Sequence, residues 1–400
     1  MKKIEQQIFV IKNNKSLIEL IDRLEHTEPE FAAKIHAGST NKSSEHKYSL
    51  LKIQMLDYSK KDGNDTIFVS ANISPSTLIY LLLLYEVGKT KGKIQYSEQK
   101  IMPGKSSDGN SSSKVTNLKI NRNTVNFKGE TLRNPWSVEI EEGTGTRKQS
   151  QTGGYYVAQG TYKRLKSVRI SMTDKDFFTF LKAGESRLNC FEKYWGTKLF
   201  SKSVENRDVQ IAKITTLSGL VEFTDKTDTK YNDKEYSLIG MNVVDFEQKN
   251  EKNKSLFLSS NLSTNICHNL YHEVCEAICK EADYEFSEEK IMPNVNSDGL
   301  SDVRKVKIVR SQNNKKGEPR RQPWFVVIET GKSQVQEYSN GAKAMKAGTF
   351  KREHMAYVCV SDKDLLYAIY SVCRLIDTRM FLDYCSYCKE NEQSKKNGDK

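Results

Sequence analysis

Two stretches of the sequence combine cations and aromatic rings in a pattern that suits nucleic acid. GTYKRLKSVRISM begins at Gly160, and GTFKREHMAYVCV begins at Gly348. In the first stretch Val168, Ile170 and Met172 alternate with polar residues, which predicts a strand with one buried face. Cations that project from such a strand neutralise phosphates, and rings stack on unpaired bases, so the mixture favours single-stranded nucleic acid.

The candidate binding residues are basic or aromatic and lie on predicted strands of both stretches and their neighbours. They are Lys119, Arg122, Tyr155, Tyr156, Tyr162, Lys163, Arg164, Lys166, Arg169, Lys307, Arg310, Phe350, Lys351 and Arg352. Lys119, Arg122, Lys307 and Arg310 alternate with apolar residues in TNLKINR and VRKVKIV, and we expect them to share an outward face. The alternative is a solvated strand edge whose lysines prevent aggregation.

The positive charge is concentrated in two corresponding segments. The formal net charge of the chain is +12. Residues 93–169 hold 14 Lys and Arg against 6 Asp and Glu, and residues 284–358 hold 14 against 9. These excesses of +8 and +5 account for the whole net charge, which indicates a surface that faces a polyanion. Lysines that serve only solubility are the alternative.

Metal binding and catalysis receive little support from the sequence. CHNLYHEVCEAIC contains Cys267, His268, His272, Cys275 and Cys279, and on a helix all of these except Cys267 fall near one stripe with tolerable ligand spacing. The corresponding first-half segment LIYLLLLYEVG is apolar, so cysteine on a buried helix face is the preferred interpretation. CSYC near the C-terminus is a lone CxxC pair. The six histidines form no evident catalytic pattern, and no phosphate-binding GxxxxGK[ST] motif occurs. We therefore predict a protein without catalytic activity, metal or cofactor.

The chain repeats itself with a period of about 190 residues, as the sequence shows directly. SEQKIMPGKSSDG and SEEKIMPNVNSDG share nine of thirteen residues, and PW, GT(Y/F)KR and DKD also recur at that distance. We predict tandem repeats over residues 1–203 and 204–388, a polar hinge near residues 198–207 and a disordered tail over residues 389–400.

Hydrophobic periodicity predicts a helix over KSLIELIDRLEH, a mobile loop over HAGSTNKSSEH, and strands over YSLLKIQMLDY and DTIFVSANIS. A second helix starts with Ser74 as N-cap and ends at Gly88. GTGT at Gly143 and GKS at Gly331 indicate hairpin-like turns. Trp136 and Trp324 share the parity of the apolar residues that follow them, so we expect them in the core.

Each half then ends in a strand followed by a helix. In the first half Thr173 and Asp176 predict a short capping box, and Phe177, Phe180 and Leu181 supply the buried stripe. The longest apolar run, LIYLLLLY, is far shorter than a membrane span, and no export signal is evident. Single cysteines in apolar patterns predict a reduced, cytoplasmic protein.

The order of several strands and a helix resembles the PC4, Whirly and PUR group of single-stranded nucleic-acid-binding proteins. PWSVEIEEG with GTYKRLKSVRISMTDKDFFTFL, and PWFVVIETG with GTFKREHMAYVCVSDKDLLYAI, carry the resemblance. It implies an α+β fold of two tandem homologous repeats, each with curved antiparallel sheets and packed helices. The Lys- and Asn-rich composition also resembles proteins of low-GC Gram-positive bacteria, their phages and conjugative plasmids, which suggests a mobile element.

These observations predict a protein that binds single-stranded DNA or RNA, with single-stranded DNA as the first choice, and with little sequence preference. The alternative is an inhibitor or assembly factor whose basic face engages an acidic protein or occupies a nucleic-acid channel. Both alternatives require basic surfaces, so composition does not separate them.

Overall fold

Buried and exposed side chains alternate along much of the chain, and most of the described residues form β-strands. The structure, a computed structural model, describes residues 6–26, 35–36, 48–59, 66–102, 112–149, 155–200, 209–231, 234–250, 252–295, 299–339 and 343–398. It is a mixed α+β structure with antiparallel sheets. Apart from His36, the expected loop over HAGSTNKSSEH lies outside the described residues.

The first part of the chain forms two sheets, each followed by a helix. The first sheet comprises β1 (Gln6–Lys12), β2 (Ser16–Arg23), β3 (Leu50–Asp57) and β4 (Ile67–Ile73), and α1 (Pro75–Lys91) follows. The second comprises β5 (Ile94–Met102), β6 (Ser112–Arg122), β7 (Trp136–Gln149) and β9 (Lys163–Met172), with β8 (Tyr155–Val157) on the far end of β7. It leads into α2 (Asp174–Phe200).

The second part likewise forms two main sheets, each followed by a helix. Its first sheet contains β10 (Val209–Thr215), β11 (Gly219–Tyr231), β12 (Lys234–Lys249) and β13 (Ser255–Ser263), and α3 (Thr264–Lys280) follows. Its second contains β14 (Tyr284–Val295), β15 (Ser301–Arg310), β16 (Trp324–Ser333) and β19 (Lys351–Val360), with β17 (Val335–Glu337) and β18 (Lys343–Met345) as a separate pair. The last helix is α4 (Asp362–Gly398).

The chain divides into two compact units, and the division falls inside α2. The first unit comprises Met1–His26 and His36–Glu192, and the second comprises Thr27–Ile35 and Lys193–Lys400. α4 continues to Gly398, so the disorder predicted for residues 389–400 is wrong as far as that residue. Glu, Gln and Lys in this tail are good helix formers, and extending an existing helix requires no new nucleus.

The helix predicted over KSLIELIDRLEH is wrong, because these residues form β2. Ile18 and Leu20 are fully buried, and β2 pairs with β1 on one side and β3 on the other. The apolar residues fit both a helical and an alternating period over so short a stretch. Pairing with two neighbouring strands, which lie elsewhere in the sequence, decides in favour of the strand.

Helix α1 begins as predicted and ends later than predicted. The backbone N–H of Thr77 donates to Ser74 Oγ at 3.1 Å, which is the expected N-cap bond. The helix continues past Gly88 to Gly92, whose φ of 74° is favourable for glycine. A Cβ on Gly88 would lie 3.0 Å from Arg122 Cδ and 3.2 Å from the Trp136 ring. Close approach of these side chains explains the glycine.

The predicted core faces are confirmed. Trp136 and Trp324 are almost completely buried. The Phe177 ring of α2 stacks on Trp136 with centroids 4.2 Å apart. The capping box at the start of α2 is also present, because Asp176 N donates to Thr173 Oγ1 at 3.1 Å. Burial of these rings identifies the inner faces of the second sheet in each unit.

The turns predicted at Gly143 and Gly331 are wrong, because both glycines lie inside long strands at an irregularity in the pairing. A Cβ would lie 2.3 Å from the carbonyl oxygen of Lys163 at Gly143 and 2.2 Å from that of Lys351 at Gly331. No side chain fits at such distances, so glycine lets the last strand cross closely at this point. This crossing sets the position of the basic motifs.

Among the described residues, none of the helices combines the length and apolar composition needed to cross a membrane.

Candidate nucleic-acid interface

The GT motifs, GTYKR at residues 160–164 and GTFKR at residues 348–352, share a form that follows from the turn before the last strand of each second sheet. Gly160 and Gly348 have φ values of 77° and 74°, which favour glycine. The next residue closes the turn, since Thr161 Oγ1 donates to Ala158 O and Thr349 Oγ1 donates to Lys346 O, both at 2.7 Å. Glycine and threonine thus hold the turn, and the aromatic and basic residues that follow are presented from it.

In each unit one buried carboxylate holds two of the predicted cations at the outer sheet surface. In the first unit Glu141 lies 2.8 Å from Lys119 Nζ and 3.6 Å from Arg164 Nη1. In the second, Glu329 lies 3.0 Å from Lys307 Nζ and 3.1 Å from Arg352 Nη1. The arrangement is therefore repeated, and each cluster carries one net positive charge.

The carboxylate in the second cluster is stabilised in its ionised form. Burial raises the pKa of Glu329, but the hydrogen bonds from Lys307 and Arg352 outweigh it and leave the pKa below its usual range. The ionised carboxylate fixes two long cationic side chains that would otherwise be mobile. Lys163 and Lys351, which precede Arg164 and Arg352 in the chain, are exposed.

Lys166 lies elsewhere, against the strand β4. Its ammonium group lies 3.5 Å from Glu142 Oε2 and donates to the carbonyl oxygen of Phe68. Glu142 also accepts from the backbone N–H of Ser70 at 3.0 Å and contacts Lys114. Burial raises the pKa of Glu142, and these bonds and nearby cations lower it below its usual range. Lys166 therefore belongs to an internal ion-pair network more than to the open surface.

Arg122 and Arg310 do not share the outward face with the lysines, and that prediction is wrong. Residues three apart in a strand point to opposite sides of the sheet. Arg122 is 7% exposed and Arg310 is 4% exposed. Arg122 binds both carboxylate oxygens of Asp174, at 3.1 and 3.2 Å. Arg310 Nε donates to Asp362 at 3.2 Å. Both arginines hold the helix start against the sheet.

The predicted aromatic residues and Arg169 are at least partly accessible. Tyr155 is 54% exposed and Tyr156 is 46% exposed. Tyr162 is half-buried, with its ring close to Gly143. The ammonium group of Lys305 lies over the Phe350 ring, 4.4 Å from its centroid. Arg169 projects from the outer face, as predicted from the burial of its neighbours.

Sequence reasoning missed several residues of this surface. Glu141 and Glu329 are the carboxylates that hold the cations, and Arg147 lies over the Tyr155 ring at 4.3 Å. The signal for Glu141 was present, since its parity in PWSVEIEEG is opposite to that of Trp136. The pairing of β6, β7 and β9 determines which cations contact Glu141. Residue spacing within one strand does not reveal this pairing.

The cysteines and histidines of α3 have separate partners. Cys267 is buried, and its thiol donates to the carbonyl oxygen of Ser263 at 3.3 Å. His268 Nε2 lies 3.0 Å from Asp377 Oδ1. Within the part of the chain that the structure describes, no group of three or more His, Cys, Asp or Glu residues is placed to hold a metal ion.

A glutamate at corresponding positions of β5 and β14 has lost its hydrogen-bond donors in the second unit. Glu98 Oε2 accepts from the Tyr96 hydroxyl at 2.7 Å and from Thr77 Oγ1 at 3.1 Å. The sequence repeat places Phe286 at the position of Tyr96 and Glu288 at that of Glu98, and the matching caps of α1 and α3 place Ile266 at that of Thr77. Glu288 Oε2 is buried without a hydrogen-bond partner. Burial raises the pKa of Glu288, although Lys290 lowers it in part.

This difference predicts a pH-dependent stability contribution. A carboxyl whose pKa is raised in the folded state destabilises the fold increasingly as pH rises from the unfolded pKa to the folded one. The substitution Phe286→Tyr restores the tyrosine donor, so between pH 4 and pH 7 we expect the variant to have a higher denaturation midpoint than the wild type. The reciprocal substitution Tyr96→Phe is the control and should lower the midpoint. Equal responses to both substitutions at every pH would contradict the assignment.

Comparison of the chain with known protein families, with curated proteins and with solved structures finds no match.

Proposed function

We propose that the chain binds single-stranded nucleic acid, with single-stranded DNA as the preferred ligand and with little sequence preference. The proposal includes two homologous repeats, each with an architecture like that of the PC4, Whirly and PUR group. Lysines and arginines at the GT motifs neutralise phosphates, and the neighbouring rings stack on bases. Because both units take part, binding at one raises the effective concentration of the ligand at the other.

The observation that carries this proposal is the repeated cluster of two cations around one buried carboxylate. The Glu141 and Glu329 clusters lie on the outer sheet surface of their own units, and each contains the arginine of a GT motif. A structural ion pair needs only one cation for each carboxylate. The second cation leaves a net positive charge with fixed geometry, which suits a phosphate ligand.

An acidic protein partner is the competing function, since the same clusters would attract it. Aromatic rings that are at least partly accessible in each unit favour nucleic acid instead. Arg147 stacks over Tyr155 and Lys305 lies over Phe350, so each unit presents an aromatic surface next to cations. Unpaired bases with their phosphates offer the matching combination of flat apolar faces and regularly spaced negative charge.

The salt dependence of oligonucleotide binding tests the proposal. Four contacts, from Lys163, Arg164, Lys351 and Arg352, at about −0.7 each predict a slope of about −3 for log K against log salt. Fluorescence anisotropy with a labelled 30-nucleotide single strand, repeated with duplex DNA and RNA, measures this slope. No binding at low salt, or an affinity independent of salt, would show that the function is a different one.

A further inference from the structure

The outer faces of the two corresponding sheets have opposite character near their tryptophan ends. In β6, β7 and β9 the outward positions are polar, and in β15, β16 and β19 the matching positions are apolar. The strand registers place the five pairs as Asn121 and Val309, Ser137 and Phe325, Glu139 and Val327, Arg169 and Tyr357, and Ser171 and Cys359. All five pairs change in the same direction, from a polar residue in the first unit to an apolar one in the second.

The apolar residues of the second sheet form one continuous patch. Val309 lies opposite Phe325 across β15 and β16, and Phe325 lies opposite Cys359 across β16 and β19. Val327 lies opposite Tyr357 in the next row of the same face. The rings of Phe325 and Tyr357 are 6.5 Å apart between centroids. All five side chains retain partial exposure, and their neighbours along each strand are buried.

The loop next to this patch is more basic than the corresponding loop of the first sheet, while Asp245 and Glu247 of β12 lie near Tyr357. Arg320 lies over the Phe325 ring, 5.0 Å from its centroid. The loop between β15 and β16, residues 311–323, holds four cations and one acid, for a net charge of +3. The corresponding loop, residues 123–135, holds two cations and one acid, for a net charge of +1. Lys315, Lys316 and Arg321 in the more basic loop are exposed.

We propose that the two units divide the recognition of a single strand: the Phe325–Tyr357 face binds unstacked bases, and the polar first face meets only the sugar-phosphate backbone. This inference rests on the proposed function. The two rings can stack on unpaired bases, and the cations of the neighbouring loop can contact the phosphates attached to those bases. The polar face, with Ser137 and Arg169, has hydrogen-bonding groups but no ring at these positions.

Two ligands that differ only in their bases distinguish binding to bases from binding to phosphates. We choose a 20-nucleotide oligothymidylate and an abasic strand of the same length and charge. Stacking contributes about 1–3 kcal/mol for each base, so two stacked bases predict that the wild-type chain prefers the oligothymidylate by at least about tenfold.

The substitutions Phe325→Ser and Tyr357→Arg give the second face the residues of the first. Because the first sheet accommodates serine and arginine at these positions, the variant should fold. We expect the tenfold preference to fall to near one, with affinity for the abasic strand unchanged or higher. Ser137→Ala with Arg169→Ala is the matched control in the other unit, and its preference should equal that of the wild type.

Three outcomes overturn the inference, and they differ from failure of the proposed function. A full base preference in the Phe325→Ser and Tyr357→Arg variant would show that the bases bind elsewhere. A change in sedimentation mass of that variant without a change in preference would assign the face to self-association. Photocrosslinking of the wild-type chain to 5-iododeoxyuridine strands should label Phe325 or Tyr357, and labelling of the first face instead would contradict the assignment. If neither strand binds the wild type, the proposed function itself fails.

Discussion

Reversing the charge of the four cations in the GT motifs should remove most of the affinity for a single-stranded oligonucleotide. The variant combines Lys163→Glu, Arg164→Glu, Lys351→Glu and Arg352→Glu. At a salt slope of about −0.7 for each contact, four contacts together contribute roughly 100-fold or more at 0.1 M salt. Reversal also adds repulsion, so we expect at least a 100-fold loss and a salt slope close to zero by fluorescence anisotropy.

The matched control changes the same total charge elsewhere. Lys128, Lys175, Lys252 and Lys254 are exposed, and their replacement by Glu also lowers the formal net charge from +12 to +4. If binding depends on the GT-motif surface, this control should lose far less affinity than the reversal. Equal losses in both variants would show that only the overall charge matters.

A milder set of substitutions separates binding from folding. Arg164 and Arg352 neutralise the buried carboxylates Glu141 and Glu329, so a glutamate there introduces like charges. Glutamine at all four positions avoids this repulsion, and we expect the same loss of salt slope with a smaller loss of affinity. Circular dichroism melting of the glutamine variant should remain near that of the wild type.

Removal of the carboxylate of Asp362 should produce the largest loss of stability. Arg310 is almost completely buried and donates to Asp362, and Trp324 Nε1 donates to the same oxygen at 2.7 Å. Asp362→Ala leaves a buried guanidinium without its counter-charge, which destabilises a protein by about 3 kcal/mol. The free energy of unfolding in urea measures this loss in the second unit.

Two further variants test the cause. Arg310→Met combined with Asp362→Ala removes both charges, so it should recover much of the stability that the single change loses. Asp174→Ala in the first unit should cost less, because the Asp174 side chain is 43% exposed and that of Asp362 is 23% exposed. If the double variant is less stable than Asp362→Ala, then packing of Arg310, not its charge, stabilises the second unit.

Local patterns predicted the second sheet of each unit well. Val138, Ile140 and Val168 follow a strict alternation, and their burial is confirmed. The Thr173–Asp176 capping box depends on residues within one turn, and it is also confirmed. Such features need only neighbouring residues, so the sequence is sufficient to place them.

Predictions that needed a distant partner were the ones that failed. β2 was predicted as a helix because an isolated segment of that length does not reveal the strands on its two sides. Arg122 was predicted as a surface cation, but Asp174 of α2 and the carbonyl oxygen of Gly88 bind it inside the unit. Glu141 was overlooked because its two cations come from different strands.

The amino-acid sequence alone determined the internal repetition, the apolar faces of the strands and the concentration of positive charge in two segments. Tertiary structure alone decided which of those charges reach the surface, which are neutralised by a carboxylate, and which sheet face became apolar. The reason is physical: periodicity along the chain fixes the direction of a side chain relative to its neighbours. The electrostatic partner of a side chain depends on strand pairing between residues far apart in the sequence.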